Sequence, residues 1–234
     1  MDGIILLSEI NPQGLPTFNP LQQAHKWYDL LTPEDIRFLG VNQLAFPAAI
    51  ELIARRAEER NSVLVIRDWS HLDFIGVPYV PNPSCRLTLA EALRDSFGLI
   101  QASMVRHPID MWLSLRRMPT MKDRISTEQF LRAYLRFAEC GLGTGFVRYE
   151  DIVADPDRHL HELCKRLDIR FDPGYRERWH RYDRITGDAI RRNRGGDTIQ
   201  PLPRRDCETG LLDEFAASKD YQDAIRLLGY RHPE

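Results

Sequence analysis

Apolar residues gather in four short runs, Ile4 to Leu7, Ser62 to Arg67, Leu99 to Arg106 and Gly145 to Tyr149. None alternates cleanly with polar positions, which is the pattern of parallel strands covered by helices on both faces. Helical periods lie between them. Ala48 to Arg60, rich in Ala, Glu and Arg, reads as a crossover helix into the second strand. Leu89 to Phe97 follows Thr88, which with Glu91 forms a T-x-x-E capping box, and Ser126 with Gln129 starts a helix through Glu139 in the same way. Asp155-Pro156 supplies an N-cap and an N1 proline for a helix to about Leu167. Leu211 to Leu228 reads as one terminal amphipathic helix. Asn11 to Pro20 and Gly76 to Arg86 follow no period; long loops of this kind border a site or simply connect elements. Strands alternating with helices predict an α/β layered domain, a central parallel sheet flanked by helices. No repeat, low-complexity tract or linker interrupts residues 1–234, so a single domain is expected.

Composition adds little to the fold and removes some functions. Hydrophobic content of 43% and charged content of 28% are ordinary for a globular chain. A net charge of -2 argues against a protein built for nucleic acid or an anionic membrane, so neither is expected as a partner. Charge is nonetheless uneven: Arg176 to Arg205 holds nine Arg, no Lys and four acidic residues. Cys85, Cys140, Cys164 and Cys207 form no C-x-x-C pair, which points away from a zinc site or disulfide framework and toward reduced thiols in a cytoplasmic protein. No apolar run approaches the ~20 residues of a membrane helix. No basic region precedes the first run, so no signal peptide is expected.

Candidate chemistry sits where the apolar runs end. The third run closes on Arg106, turns at Pro108 and enters a helix carrying Ser114. A guanidinium, a helix N-terminus and a hydroxyl around one point favour a bound phosphate. The second run delivers Arg67, Asp68 and then His71 to its carboxyl end, where α/β sites lie. His71, or a desolvated Asp68, suits a general base; the alternative is an Arg67–Asp68 ion pair beside a satisfied His71. The fourth run ends in Tyr149-Glu150-Asp151, whose two acids cap the next helix or pair with a nearby Arg. A late stretch, Arg191-Arg192-Asn193-Arg194-Gly195-Gly196, sets glycine beside arginine, so the backbone can approach an anion closely. A solvated basic surface is the plain alternative. An RNA-contacting loop is a weaker one, since only Tyr182 is there to stack.

These segments together resemble the nucleotide-binding segments of sulfotransferases that use 3′-phosphoadenosine 5′-phosphosulfate (PAPS). The resemblance implies the P-loop NTPase-like α/β fold, with PAPS as co-substrate and no metal. It implies that Arg106 and Ser114 hold the 3′-phosphate, that Tyr149 approaches adenine, and that Arg194 and Gly195 close over the nucleotide. It further implies Arg67 near the transferring sulfonate and His71 or Asp68 as proton acceptor. The acceptor would be a hydroxyl or amine of a small molecule, glycan or peptide. One motif departs from the pattern: no G-x-x-x-x-G-K-[ST] or Arg-Ser-Gly-rich loop occurs. Ser8-Glu9-Ile10-Asn11-Pro12 resembles the segment that follows this loop in bacterial members. A first strand and loop of about 25 to 30 residues, the size of one β-loop-α unit, are therefore expected to be missing in front. Without the loop's backbone donors the chain is expected to be a poor catalyst. A non-catalytic nucleotide-binding or interaction protein on the same scaffold is the alternative.

Overall fold

A computed structural model describes residues 3–119, 121, 123–187 and 198–233. In chain order these form β1 (Ile4–Ile10), α1 (Pro20–Tyr28), α2 (Pro33–Val41), α3 (Phe46–Glu58), β2 (Val63–Asp68), α4 (His71–Phe74), α5 (Thr88–Leu93) and β3 (Ser103–Val105). Then come α6 (Pro108–Leu115), α7 (Thr127–Thr144), β4 (Phe146–Arg148), α8 (Tyr149–Ala154), α9 (Pro156–Arg166), α10 (Tyr175–Arg178), α11 (Thr209–Ala217) and α12 (Lys219–Leu228). The strands pair in parallel in two two-stranded sheets, β1 with β2 and β3 with β4. The chain groups into two compact units, each gathered from separated segments.

The first unit comprises Met1–Ser70, Leu87–Leu99 and Phe171–Asp197. Its core is the buried face of β1 (Ile5, Leu7, Ile10) against Ala24, Ile50, Ile53 and Ala57 of the helices, closed by Leu89 and Leu93. Proline-led caps define its helices. Asn19 caps α1 by accepting from Gln22 N–H at 3.1 Å, and Thr32 with Asp35 forms a capping box on α2. Arg56 of α3 grips Asp35 through Nε and Nη2 at 2.8 Å each, tying α2 to α3. Tyr28 secures α1 to β1, its hydroxyl accepting from Leu6 N–H at 3.1 Å and donating to the Leu6 carbonyl at 2.8 Å.

The second unit comprises His71–Arg86, Ile100–Arg170 and Thr198–Glu234. Val105 of β3, Ile109, Trp112 and Leu115 of α6, and Phe130, Leu131, Tyr134 and Ala138 of α7 pack with Phe215, Tyr221, Ala224, Ile225 and Leu228. The Ser126–Gln129 capping box and the Asp155-Pro156 start form as expected.

Several local expectations change. α5 begins at Thr88 itself, with Leu87 at the N-cap and no side-chain bond from that cap residue, and the Thr88 hydroxyl accepts from Asn11 Nδ2 at 3.3 Å. The terminal helix breaks at Ser218, whose extended backbone and hydroxyl cap α12. The third strand is three residues long, matching its short partner β4, and its approach leaves Ile100 57% exposed. Asn11 to Pro20 is partly ordered, with a 3-10 turn at Pro12–Gly14. Among the described residues no helix is long and apolar enough to cross a membrane.

Candidate functional site

In the second unit, parallel register fixes the first pair of residues. Val105 of β3 lies opposite Arg148 of β4, so the next residues, Arg106 and Tyr149, emerge side by side at the carboxyl ends. The Arg106 guanidinium lies 4.8 Å from the Tyr149 ring centroid, a cation–π stack that holds the side chain without using its donors. Among the described residues nothing accepts a hydrogen bond from that guanidinium. Its backbone is fixed, since the buried Tyr134 hydroxyl donates to the Arg106 carbonyl. Burial pushes Tyr134 well above the usual phenol range, so that donor stays protonated. Ser114 lies half-buried on α6, two turns in.

The surroundings are cationic. Asp110, in the first turn of α6, is engaged by Arg204 through two bonds of 3.0 Å. Arg205, beside it in sequence, loses its proton more easily than an ordinary arginine, through partial desolvation and then the nearby charges of Arg117 and Arg106. Arg205 is thus repelled by both Arg117 and Arg106, and an anion with several acceptor oxygens would relieve that repulsion. The neighbouring acids are committed. Glu150 accepts from His107 N–H at 2.8 Å and from the Tyr230 hydroxyl at 2.7 Å, and Asp151 accepts from Arg148 Nε at 2.8 Å. Both therefore serve structure, as the sequence favoured. Arg194 and Gly195 lie outside the described residues.

The first unit brings a second group together at the carboxyl edge of β1 and β2. Arg67 Nη2 donates to Ser8 Oγ and to the Thr186 carbonyl, each at 2.8 Å, and lies 3.5 Å from Glu9 Oε1. Its ion partner is thus Glu9. Asp68 accepts from Asn11 Nδ2 at 3.2 Å, in the bonding that joins the turn after β1 to Thr88. His71 opens α4, in the second unit, where its carbonyl accepts from Ile75 and Gly76 N–H.

Glu9 is the residue that sequence reasoning passed over. It sits at a register shift in β1 with a left-handed backbone (φ 56°), and its side chain is only 13% exposed. Its Oε2 is buried without a hydrogen-bond partner among the described residues. A bulge of this kind re-aims a side chain, and such strain collects at functional sites. Gly187 (φ 78°) covers it so closely that a Cβ there would lie 2.3 Å from Glu9 Oε1. The available signal was a lone acid ending an apolar strand ahead of Asn11-Pro12.

Neither a family model nor a curated protein matches the chain. Among solved structures, the sulfotransferase domain from the Synechococcus PCC 7002 olefin synthase superposes with a TM-score of 0.58 at 20% identity, over 94% of this chain and 80% of that one. The chain has the fold of a sulfotransferase domain. A second such domain, from the curacin biosynthetic pathway, aligns with a TM-score of 0.47 at 17% identity over 98% of both chains. The P-loop NTPase-like α/β class expected from the sequence is therefore the class of this sulfotransferase fold.

Proposed function

We propose that this chain binds a 3′-phosphorylated adenosine nucleotide and transfers a sulfonate from PAPS to a hydroxyl or amine acceptor. One observation carries the reading. Arg106 is stacked on Tyr149 with all its donors unspent among the described residues, beside Arg117 and Arg205 and at the start of α6. A 3′-phosphate offers the charge and the acceptors this group lacks, and Ser114 adds a hydroxyl. Tyr149 would present its ring to adenine.

Sulfonate transfer needs few groups. The acceptor oxygen or nitrogen forms a bond to sulfur while the bond from sulfur to the phosphate oxygen breaks. Adenosine 3′,5′-bisphosphate leaves, and the acceptor's proton passes to a base. Positioning and charge stabilisation supply most of the acceleration. Arg67 is the cation proposed for the sulfonate. Glu9 is a better proton acceptor than Asp68, because its buried Oε2 has no partner among the described residues whereas Asp68 is held by Asn11. His71 stays a candidate for the same role.

Calorimetric titration with adenosine 3′,5′-bisphosphate, with AMP as control, tests the nucleotide reading. Binding that depends on the 3′-phosphate is expected, and Arg106→Ala should weaken it roughly 10- to 100-fold with an unchanged circular dichroism spectrum. Equal affinity for AMP, or an Arg106→Ala chain that unfolds, would overturn the assignment. Bisphosphate binding without sulfonate transfer to any hydroxyl or amine acceptor would leave a nucleotide-binding protein on this scaffold.

A further inference from the structure

The N-terminus of α6 is held by an unusual cap. His107, 4% exposed, occupies the N-cap position, and its Nδ1 accepts from Ile109 N–H at 3.3 Å. Histidine is not among the preferred N-caps, and here the ring can cap only while Nδ1 lacks a proton. The other nitrogen enforces that state. Nε2 lies 3.0 Å from the Arg231 carbonyl, which can only accept, so Nε2 carries the proton.

Arg231 belongs to a segment docked with several bonds. Gly229 ends α12 in a left-handed turn, and its carbonyl accepts from Arg148 Nη1 at 3.1 Å. Tyr230 donates to Glu150, the same carboxylate that receives His107 N–H. His232 Nδ1 is bonded to the Tyr221 hydroxyl at 2.9 Å. Tyr230 and Tyr221 flank the His107 ring, with centroids at 5.2 and 6.3 Å. Residues 229–232 thus lie on the residue that immediately follows Arg106.

We propose that His107 is the positioning residue for Arg106: residues 229–232 fix its tautomer, and gain of a second ring proton releases the α6 N-terminus and weakens anion binding. This rests on the nucleotide reading above. A proton on Nδ1 would turn the acceptor of Ile109 N–H into a donor facing a donor. The groups around the ring are Asp110 and Glu150, which favour the imidazolium, Arg204, which opposes it, and the neutral phenols of Tyr221 and Tyr230. Burial is the largest influence and moves His107 below its ordinary value of 6.5. Asp110 is already held by Arg204, and Glu150 by two donors, so their pull on the imidazolium is outweighed by burial.

The test uses the full chain. Long-range proton–nitrogen NMR of the imidazoles should show the Nε2–H tautomer for His107 and a titration midpoint below 6.5. Affinity for adenosine 3′,5′-bisphosphate between about pH 5 and 8 should fall up to about tenfold per pH unit below that midpoint, as for one linked proton. His107→Asn, whose amide oxygen can cap without titrating, should restore the binding that His107→Ala loses and flatten the pH profile. An Nδ1–H tautomer, or the same pH slope in His107→Asn, would overturn the proposal. If the wild-type chain binds no bisphosphate at any pH, the nucleotide reading fails. Hydrogen exchange at the Ile109 amide then decides the cap by itself. Protection lost on acidification in wild type but kept in His107→Asn supports it, and equal protection in both sinks it.

Discussion

Glu9 combines a left-handed backbone with a buried carboxylate oxygen, Oε2, that has no hydrogen-bond partner among the described residues, and each is unfavourable taken singly. Arg67 and the Thr186–Gly187 backbone hold it in place. Under the proposed chemistry, Glu9→Gln keeps the shape and removes the base. Turnover should fall roughly 100-fold or more while bisphosphate affinity stays unchanged. Gly187→Ala should mimic this loss by pushing the carboxylate aside, since its Cβ would lie 2.3 Å from Oε1. Steady-state rates with PAPS check both. A Glu9→Gln enzyme with wild-type turnover would return the role to His71.

At the scale of elements, caps govern much of what forms. Ser126 and Gln129 exchange bonds with each other's backbone at 3.1 and 2.9 Å at the head of α7, the helix that carries Tyr134 to Arg106. Ser126→Ala should destabilise the chain by about 1 kcal/mol, read from the midpoint of urea unfolding. No change would mean that α7 is held by packing alone. Such caps are local, which is why this one and Asp155-Pro156 were readable from the sequence. The Asn19-Pro20 and Thr32-Pro33 starts carried the same signal and passed unread. Thr88 falls inside α5 rather than at its N-cap, and its hydroxyl accepts from Asn11, a partner 77 positions away that no local pattern announces. The apolar period ran through Ser218, and only the local bonding of its hydroxyl stops the helix there. Arg106 and Tyr149 were legible as the residues ending two strands, which the structure sets side by side, whereas the roles given to them and to Ser114 belong to the proposed function. The Glu9 bulge, the Tyr134 bond and the His107 cap depend on distant partners that no spacing encodes.

For the whole molecule, buried titratable groups bound the pH range of stability. His107 is depressed from 6.5 by burial, so its contribution is complete above that value and is lost as pH falls below it. Asp35 is lowered from 3.8 to about 2, chiefly by its bonds to Arg56, so its contribution disappears as pH falls through about 2. Tyr221 is raised from 10.0 to about 12 by burial, and Tyr134 is raised further, so their contributions are lost as pH climbs past 10.0. Thermal midpoints should therefore form a plateau between about pH 6.5 and 10 and decline on both sides. A steady decline across that range would contradict this pattern. The discontinuity of the first unit has a further consequence, for synthesis. Ser8 bonds Thr186, which lies 178 positions later, and Gly187 closes over Glu9 only once that segment exists. At 5–20 residues per second, roughly 10 to 35 s separate the two on the ribosome. For that interval the nascent chain carries Arg67 and Glu9 without their cover, so this corner of the molecule is among the last to take its final form, and a stalled chain would never complete it.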